Sequence, residues 1–379
     1  MRNGHGVRSL NAQQTRLLRL KAQQLLPADA GRATAPAGVL KQVVGVQAQD
    51  LAAALLSVRV RSAGLTAAGV ERARQEERSI VWVWGMRGTL HLITAEDAKW
   101  LIPLLGPPLL AAHQRRFREL GWDEARAATG IRLVQEALLE HGRLTRAEII
   151  RLLRKNGLPF EGQAPVHLLY QAALAGVLCI GPDREKTSTY VLFESWLGQP
   201  QPLARPAALA KIARRYLEAY GPAGPEDMAR WSGLKLNEAR QAWQLIADQL
   251  VEVEVGGQAA WLLRSQLPRL DEAFDSAPAV RLLHRFDTYL LGYANRDLVV
   301  DPAFAKRVHP GGGIIHPVLL VDGQALGTWK TRRRGGYVEV LVEPFASLED
   351  ELRPQIEGEV ADVARFLGEE AVLIIEEET

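Results

Sequence analysis

Gln47 and Gln49, in the run Val46-Gln47-Ala48-Gln49-Asp50, are the side chains with the most chemistry to offer as a pair. On an extended segment residues i and i+2 project to one side, whereas on a helix they diverge by about 200°. An extended segment here would set two hydrogen-bonding amides on one wall of a cavity; the plainer reading is two polar turn residues. Asp50 stands where a helix starting near Leu51 needs an N-cap. A second segment, Trp84 to Leu92, carries Arg87 at a hairpin tip, where it could reach a phosphate, and His91 beyond it. Their bland counterparts are a surface arginine and a half-buried hairpin histidine. A third, His284 to Asp297, interleaves Asp287 and Arg296 with apolar residues, as a salt-bridge corner or as support for a pocket.

Several chemistries are excluded by what is missing. The sequence has no GxxxxGK[ST] phosphate loop, GxGxxG, HExxH, Cys/His metal spacing or GxSxG elbow, so no nucleotide cofactor and no catalytic metal are expected. The single cysteine, Cys179, offers no disulfide framework and fits a reducing compartment. No apolar run approaches the roughly 18 residues needed to span a bilayer, and the start, MRNGHGVRSLNAQQ, lacks a signal-peptide core. A cytoplasmic protein without a membrane partner is the expectation. Net charge is only +2, but residues 346–379 hold eleven acidic side chains against two arginines, which leaves the body basic. With nine lysines among 46 basic residues, 37 are arginine. That composition suits bidentate phosphate contacts and nucleic acid, or a solvated arginine-rich surface.

The elements that must position these residues follow from periodicity and turn chemistry. Leu10 to Arg61 reads as helices broken at Pro27 and Pro36; Ile80–Trp84 and Thr89–Ile93 then read as a hairpin joined at 85–88. The order recurs. Helices at Ile131–His141, Arg146–Arg154 and Val166–Ala175 precede strands at 178–180 and 190–193. Helices at Leu209–Tyr220, from Pro225, and at Leu236–Leu250 precede strands at 251–255 and 261–263. Helices followed by a hairpin is the winged-helix order, so the expected fold is α+β, mostly helical. It comprises three tandem winged-helix units (1–100, 101–200 and 201–275) and a C-terminal β-rich element (276–379). In the last, Pro317–Val321, Ala325–Trp329 and Tyr337–Val342 form a β-meander with an Asp322-Gly323 turn, Leu348–Leu367 a closing helix and Ala371–Ile375 a strand able to pair back. The acidic ends read as solvated faces and tail.

Four segments in order, QAQD at 47–50, WGMRGTLHLI at 84–93, FDTYLLGYANRD at 286–297 and HPVLLVDGQALGTW at 316–329, resemble the bacterial winged-helix DNA glycosylases of the AlkZ and YcaQ type over nearly the whole chain. The resemblance implies a C-shaped array of three winged helices and removal of alkylated purines from DNA. Gln47-Ala48-Gln49 is similar to the Gln-x-Gln catalytic motif of the AlkZ branch, so the catalytic expectation falls on Gln47 and Gln49. It also implies that a hairpin of the C-terminal element enters the minor groove.

Two neutral amides suit one kind of leaving group. A purine alkylated at N7 or N3 is already cationic and departs neutral, so no general acid is required. What remains is to hold a water and to set partial negative charge beside the sugar. No lysine adjoins the motif, Lys41 lying on the preceding helical stretch, so a monofunctional enzyme without lyase chemistry is expected. Double-stranded DNA would be held by Arg87, His91, His316, Lys330, Arg332, Arg333 and Arg334, by a monomer needing no cofactor. The alternatives are a non-catalytic winged-helix DNA-binding protein or transcription regulator, and a protein scaffold.

Overall fold

The computed structural model describes residues 7–26, 32–158, 162–270 and 278–376. It is 51% helix and 22% strand, the mostly helical α+β mixture anticipated. Pro27 lies outside the described residues.

Helix starts follow the capping signals. Asn11 caps Ala12–Ala22 with a complete capping box, Pro36 opens Pro36–Val43, and Asp50 caps Leu51–Arg59 by accepting from the Ala53 amide at 3.2 Å. Between the last two, Val46–Gln47 is a short strand pairing antiparallel with Leu90–Thr94 of the hairpin Ile80–Trp84/Leu90–Thr94. Helices Glu124–His141, Arg146–Lys155 and Ala164–Leu174 then pack around strands Arg143–Thr145, Leu178–Ile180 and Thr189–Leu192. These strands do not form a separate sheet. A Trp82–Ile180 pairing fuses them with the first hairpin into six strands. The linking stretch is one 25-residue helix, Ala95–Glu119, despite Pro103, Pro107 and Pro108 within it. Each proline removes an intrahelical donor, which hides such a helix from local rules.

Helices Arg205–Tyr220, Pro225–Ser232 and Leu236–Leu245 lead into the hairpin Leu250–Val255/Gln258–Leu263. The third helix stops five residues short of the expected Leu250, because a short 3-10 turn at 247–249 turns the chain into the strand. Arg8–Leu10 adds to this hairpin as a parallel strand, Arg8 opposite Val253, so the N-terminus completes a sheet formed more than 200 residues later. The C-terminal element is five-stranded: Val280–Leu283, Val318–Val321, Gln324–Arg334, Tyr337–Pro344 and, parallel to the last, Glu370–Ile375. Asp322 and Gly323 turn with φ of 47° and 78°, as an Asp-Gly hairpin requires.

Two fully buried arginines hold that element against the glutamine segment. Arg59, at the end of Leu51–Arg59, pairs with Glu359 (3.1 Å) and Asp362 (2.9 Å) of helix Arg353–Leu367, and Arg281 joins Glu359 at 3.2 Å. Arg61 binds Asp287 at 2.6 and 2.8 Å. The C-terminal acids are therefore not all a solvated face: Glu359 is buried, and Asp362 and Glu369 are ion-paired. Burial of Arg59 demands opposite charge beside it.

Candidate active site

The peptide around Ala48 is fixed on both sides. Its N–H donates to Leu90 O at 2.7 Å, and its carbonyl accepts from the Trp82 indole at 3.0 Å. Val46 and Ala48 are fully buried, so alternation along the extended segment turns Gln47 and Gln49 to the other side. Gly45, at φ 95°, lets the chain enter so closely that a Cβ there would stand 2.5 Å from Ile93. Gln47 keeps 8% of its surface and Gln49 is exposed. Both carboxamide oxygens are engaged by the hairpin turn: Gln47 Oε1 accepts from Arg87 Nη2 at 2.6 Å, Gln49 Oε1 from the Leu90 amide at 3.3 Å.

Arg87 is not free to reach a phosphate. Besides Gln47, its guanidinium donates to the Trp231 carbonyl of helix Pro225–Ser232, so the hairpin tip is clamped between two parts of the chain. Its backbone is left-handed, φ 55°, a conformation costing on the order of 1 kcal/mol that persists where packing over-determines it. Gly88 beside it packs against Tyr170, whose hydroxyl would lie 2.4 Å from an added Cβ. Burial, with Arg230 and Arg296 nearby, lowers the Arg87 pKa to about 10. Arg296 is likewise lowered by burial and Arg230, and donates to Leu290 O at 2.7 Å. Among the described residues no carboxylate is paired with Arg87, Arg230 or Arg296.

His91 is 2% exposed and offers no surface to DNA: its Nδ1 bonds Thr89 O at 2.9 Å, and burial next to Arg87 pushes its pKa down to about 3. Asp287 is likewise enclosed: its carboxylate binds Arg61 and accepts from the Tyr289 amide at 2.9 Å. Asp50 combines the N-cap with an ion pair to Arg285 at 3.6 Å, beside His284, which burial holds neutral with a pKa of about 4. His316 bonds through its amide to Val308 O, near His309, whose pKa is lowered to about 4 chiefly by burial and further by the neighbouring Arg296. The basic strand end is compensated: Lys330 pairs with Glu343, Arg332 and Arg334 with Glu339 at 3.8 and 3.5 Å, and Arg333 with Glu369 at 2.6 Å.

Sequence reasoning passed over Trp82, Arg230 and the Tyr220 hydroxyl, which bonds Val43 O at 2.9 Å just ahead of the glutamines. The partners of Trp82 and Tyr220 lie 34 and 177 residues away, and only the tryptophan, an indole N–H inside a strand, carried a local sign of needing an acceptor.

The profile of the family described as "DNA glycosylase AlkZ-like" matches residues 40–366. The interstrand DNA cross-link repair glycosylase of Streptomyces sahachiroi is 32% identical over 351 residues, covering 87% of this chain and 90% of the relative. The solved structure of Streptomyces sahachiroi DNA glycosylase AlkZ superposes with a TM-score of 0.79 at 27% identity, over 97% of this chain and all of the other. The protein is thus a DNA glycosylase, a DNA-repair enzyme that hydrolyses N-glycosidic bonds. It belongs to the AlkZ-like DNA glycosylase family, and the reading as a non-catalytic regulator or scaffold falls.

Proposed function

We propose that this enzyme is a monofunctional glycosylase for cationic N7- and N3-alkylated purines in double-stranded DNA, with Gln47 and Gln49 as its catalytic pair. The observation that supports the reading best is their common anchorage: both carboxamide oxygens bond the turn Arg87 to Leu90, so two amides border one patch. In the step proposed, a water oxygen bonds to C1′ as the C1′–N9 bond breaks. The bonding pair moves onto the purine, which leaves neutral, and the surplus proton of the water passes to solvent. Holding that water and facing amide dipoles to the cationic sugar are worth about 3 kcal/mol together. Lys41, exposed on Pro36–Val43, stands 3.9 Å from Glu96, and this engagement supports the reading without lyase chemistry.

The Streptomyces relative is named for interstrand cross-link repair, which extends the proposed substrates to cross-linked and bulky N7 adducts. The recurring helix-then-hairpin order supports three tandem winged-helix units, and the proposal includes a cytoplasmic monomer needing no cofactor. The turn Gly311–Gly313, carrying Ile314 at 50% exposure between His309 and His316, is the hairpin assigned here to the minor groove.

Incubation with methylated DNA followed by hot alkali tests the reading: breaks at former N7-methylguanine and N3-methyladenine are expected. Gln47→Ala and Gln49→Ala should abolish them while sparing gel retardation. Release of a neutral lesion such as uracil or 8-oxoguanine would overturn the proposal.

A further inference from the structure

We infer that Arg87 is a positioning residue that divides the labour between the two glutamines, making Gln47 a hydrogen-bond donor and Gln49 the acceptor. The inference rests on the assignment of Gln47 and Gln49 as the catalytic pair and adds the orientation of each amide. A guanidinium has donors and no acceptor, so the atom it binds at 2.6 Å must be the Gln47 carbonyl oxygen. Oxygen and nitrogen diverge by about 120° from the amide carbon, so pinning Oε1 against Arg87 turns the NH2 group away from it. Among the described residues no acceptor is paired with that NH2, and Gln47 retains a small exposed surface.

Arg87 cannot easily let go. Its other Nη is held by the Trp231 carbonyl, its backbone is left-handed, and Gly88 next to it leaves no room beside Tyr170. Gln49 is held differently. Its oxygen takes one longer bond, 3.3 Å, from the Leu90 amide, and as an exposed carbonyl it keeps a second lone pair free. A water between the two would accept from Gln47 Nε2 and donate to Gln49 Oε1, with its remaining lone pair directed at C1′.

Single-turnover excision of N7-methylguanine by the full chain, with DNA affinity measured alongside, tests this. Arg87→Met is expected to slow the chemical step about 100-fold, with affinity for the same duplex within about threefold, and Arg87→Lys to recover part of the rate. Gln47→Glu keeps an oxygen for Arg87 but has no amide donor, so it should be as inactive as Gln47→Ala. Gln49→Glu, which keeps the acceptor, should retain measurable excision. A wild-type rate in Arg87→Met, or activity in Gln47→Glu, would overturn the inference while leaving the catalytic pair standing. Full activity in Gln47→Ala and Gln49→Ala would overturn the pair itself. Should Arg87→Met melt below the assay temperature, Gln47→Glu decides alone, because Arg87 is intact in it.

Discussion

The indole of Trp82 donates to the carbonyl of Ala48 at 3.0 Å, tying a strand of the first hairpin to the peptide between the two glutamines. Ala48 also donates to Leu90, so both backbone polar groups of this residue, one in each flanking peptide, are spent on the sheet. Neither can rotate without losing a bond, and that fixes the direction in which Gln47 and Gln49 leave the backbone.

Trp82→Phe keeps an aromatic ring, smaller than the indole, and removes the N–H donor. It should cost about 1 kcal/mol of stability and slow excision about tenfold, a 1.4 kcal/mol effect on the barrier. Urea unfolding and single-turnover assays read the two separately. A rate loss with no change in stability would show that the bond serves orientation alone.

Arg61 and Asp287 form a pair with no exposed surface on either side chain, and Gln23 shares the guanidinium at 3.0 Å. Truncation to Asp287→Ala strands a buried cation and should destabilise by about 3 to 5 kcal/mol. The Asp287→Ala, Arg61→Met double variant should recover part of that loss in urea unfolding.

Acid should loosen the hairpin before it reaches the glutamines, which do not titrate. His91 folds with a pKa near 3 against an ordinary value of 6.5. The unfolded chain therefore binds its proton first, and the stability this histidine contributes is complete above pH 6.5 and lost as pH falls toward 3. Melting temperatures of the wild type should drop across that window, and more gently in His91→Gln. Parallel curves for the two would place the acid sensitivity elsewhere, in His284 or His309.

Cations already paired with carboxylates neutralise few phosphates. Arg332→Ala, Arg333→Ala and Arg334→Ala combined should reduce the slope of log affinity against log salt by less than one, because Glu339 and Glu369 compensate these charges. Arg230→Ala or Arg296→Ala, each removing a cation with no carboxylate beside it among the described residues, should each reduce it by about one. Fluorescence anisotropy across a salt series distinguishes the two surfaces.

Local rules were enough for most elements. The cap at Asp50, the Asp322-Gly323 turn and the apolar strands 80–84 and 318–321 act within a few residues of themselves, so they can be read from the chain directly. Val46–Gln47 is a strand and Gln49 lies in a bend just beyond it; from the chain alone, an extended pair and two polar turn residues both fitted this stretch. The roles of Arg87, His91 and Asp287 are not legible locally either. A hairpin-tip arginine looks solvent-facing until helix Pro225–Ser232 closes over it, and a strand histidine looks half-open until strands on both sides pair with it through Gln47 and Val83. The same holds for Arg8–Leu10, Arg59 and the helix with three prolines, each stabilised by partners far away in sequence. Side-chain type and spacing named the candidate groups. Burial and long-range hydrogen bonds, which depend on where distant segments meet, decided which of them are free to act and which are held.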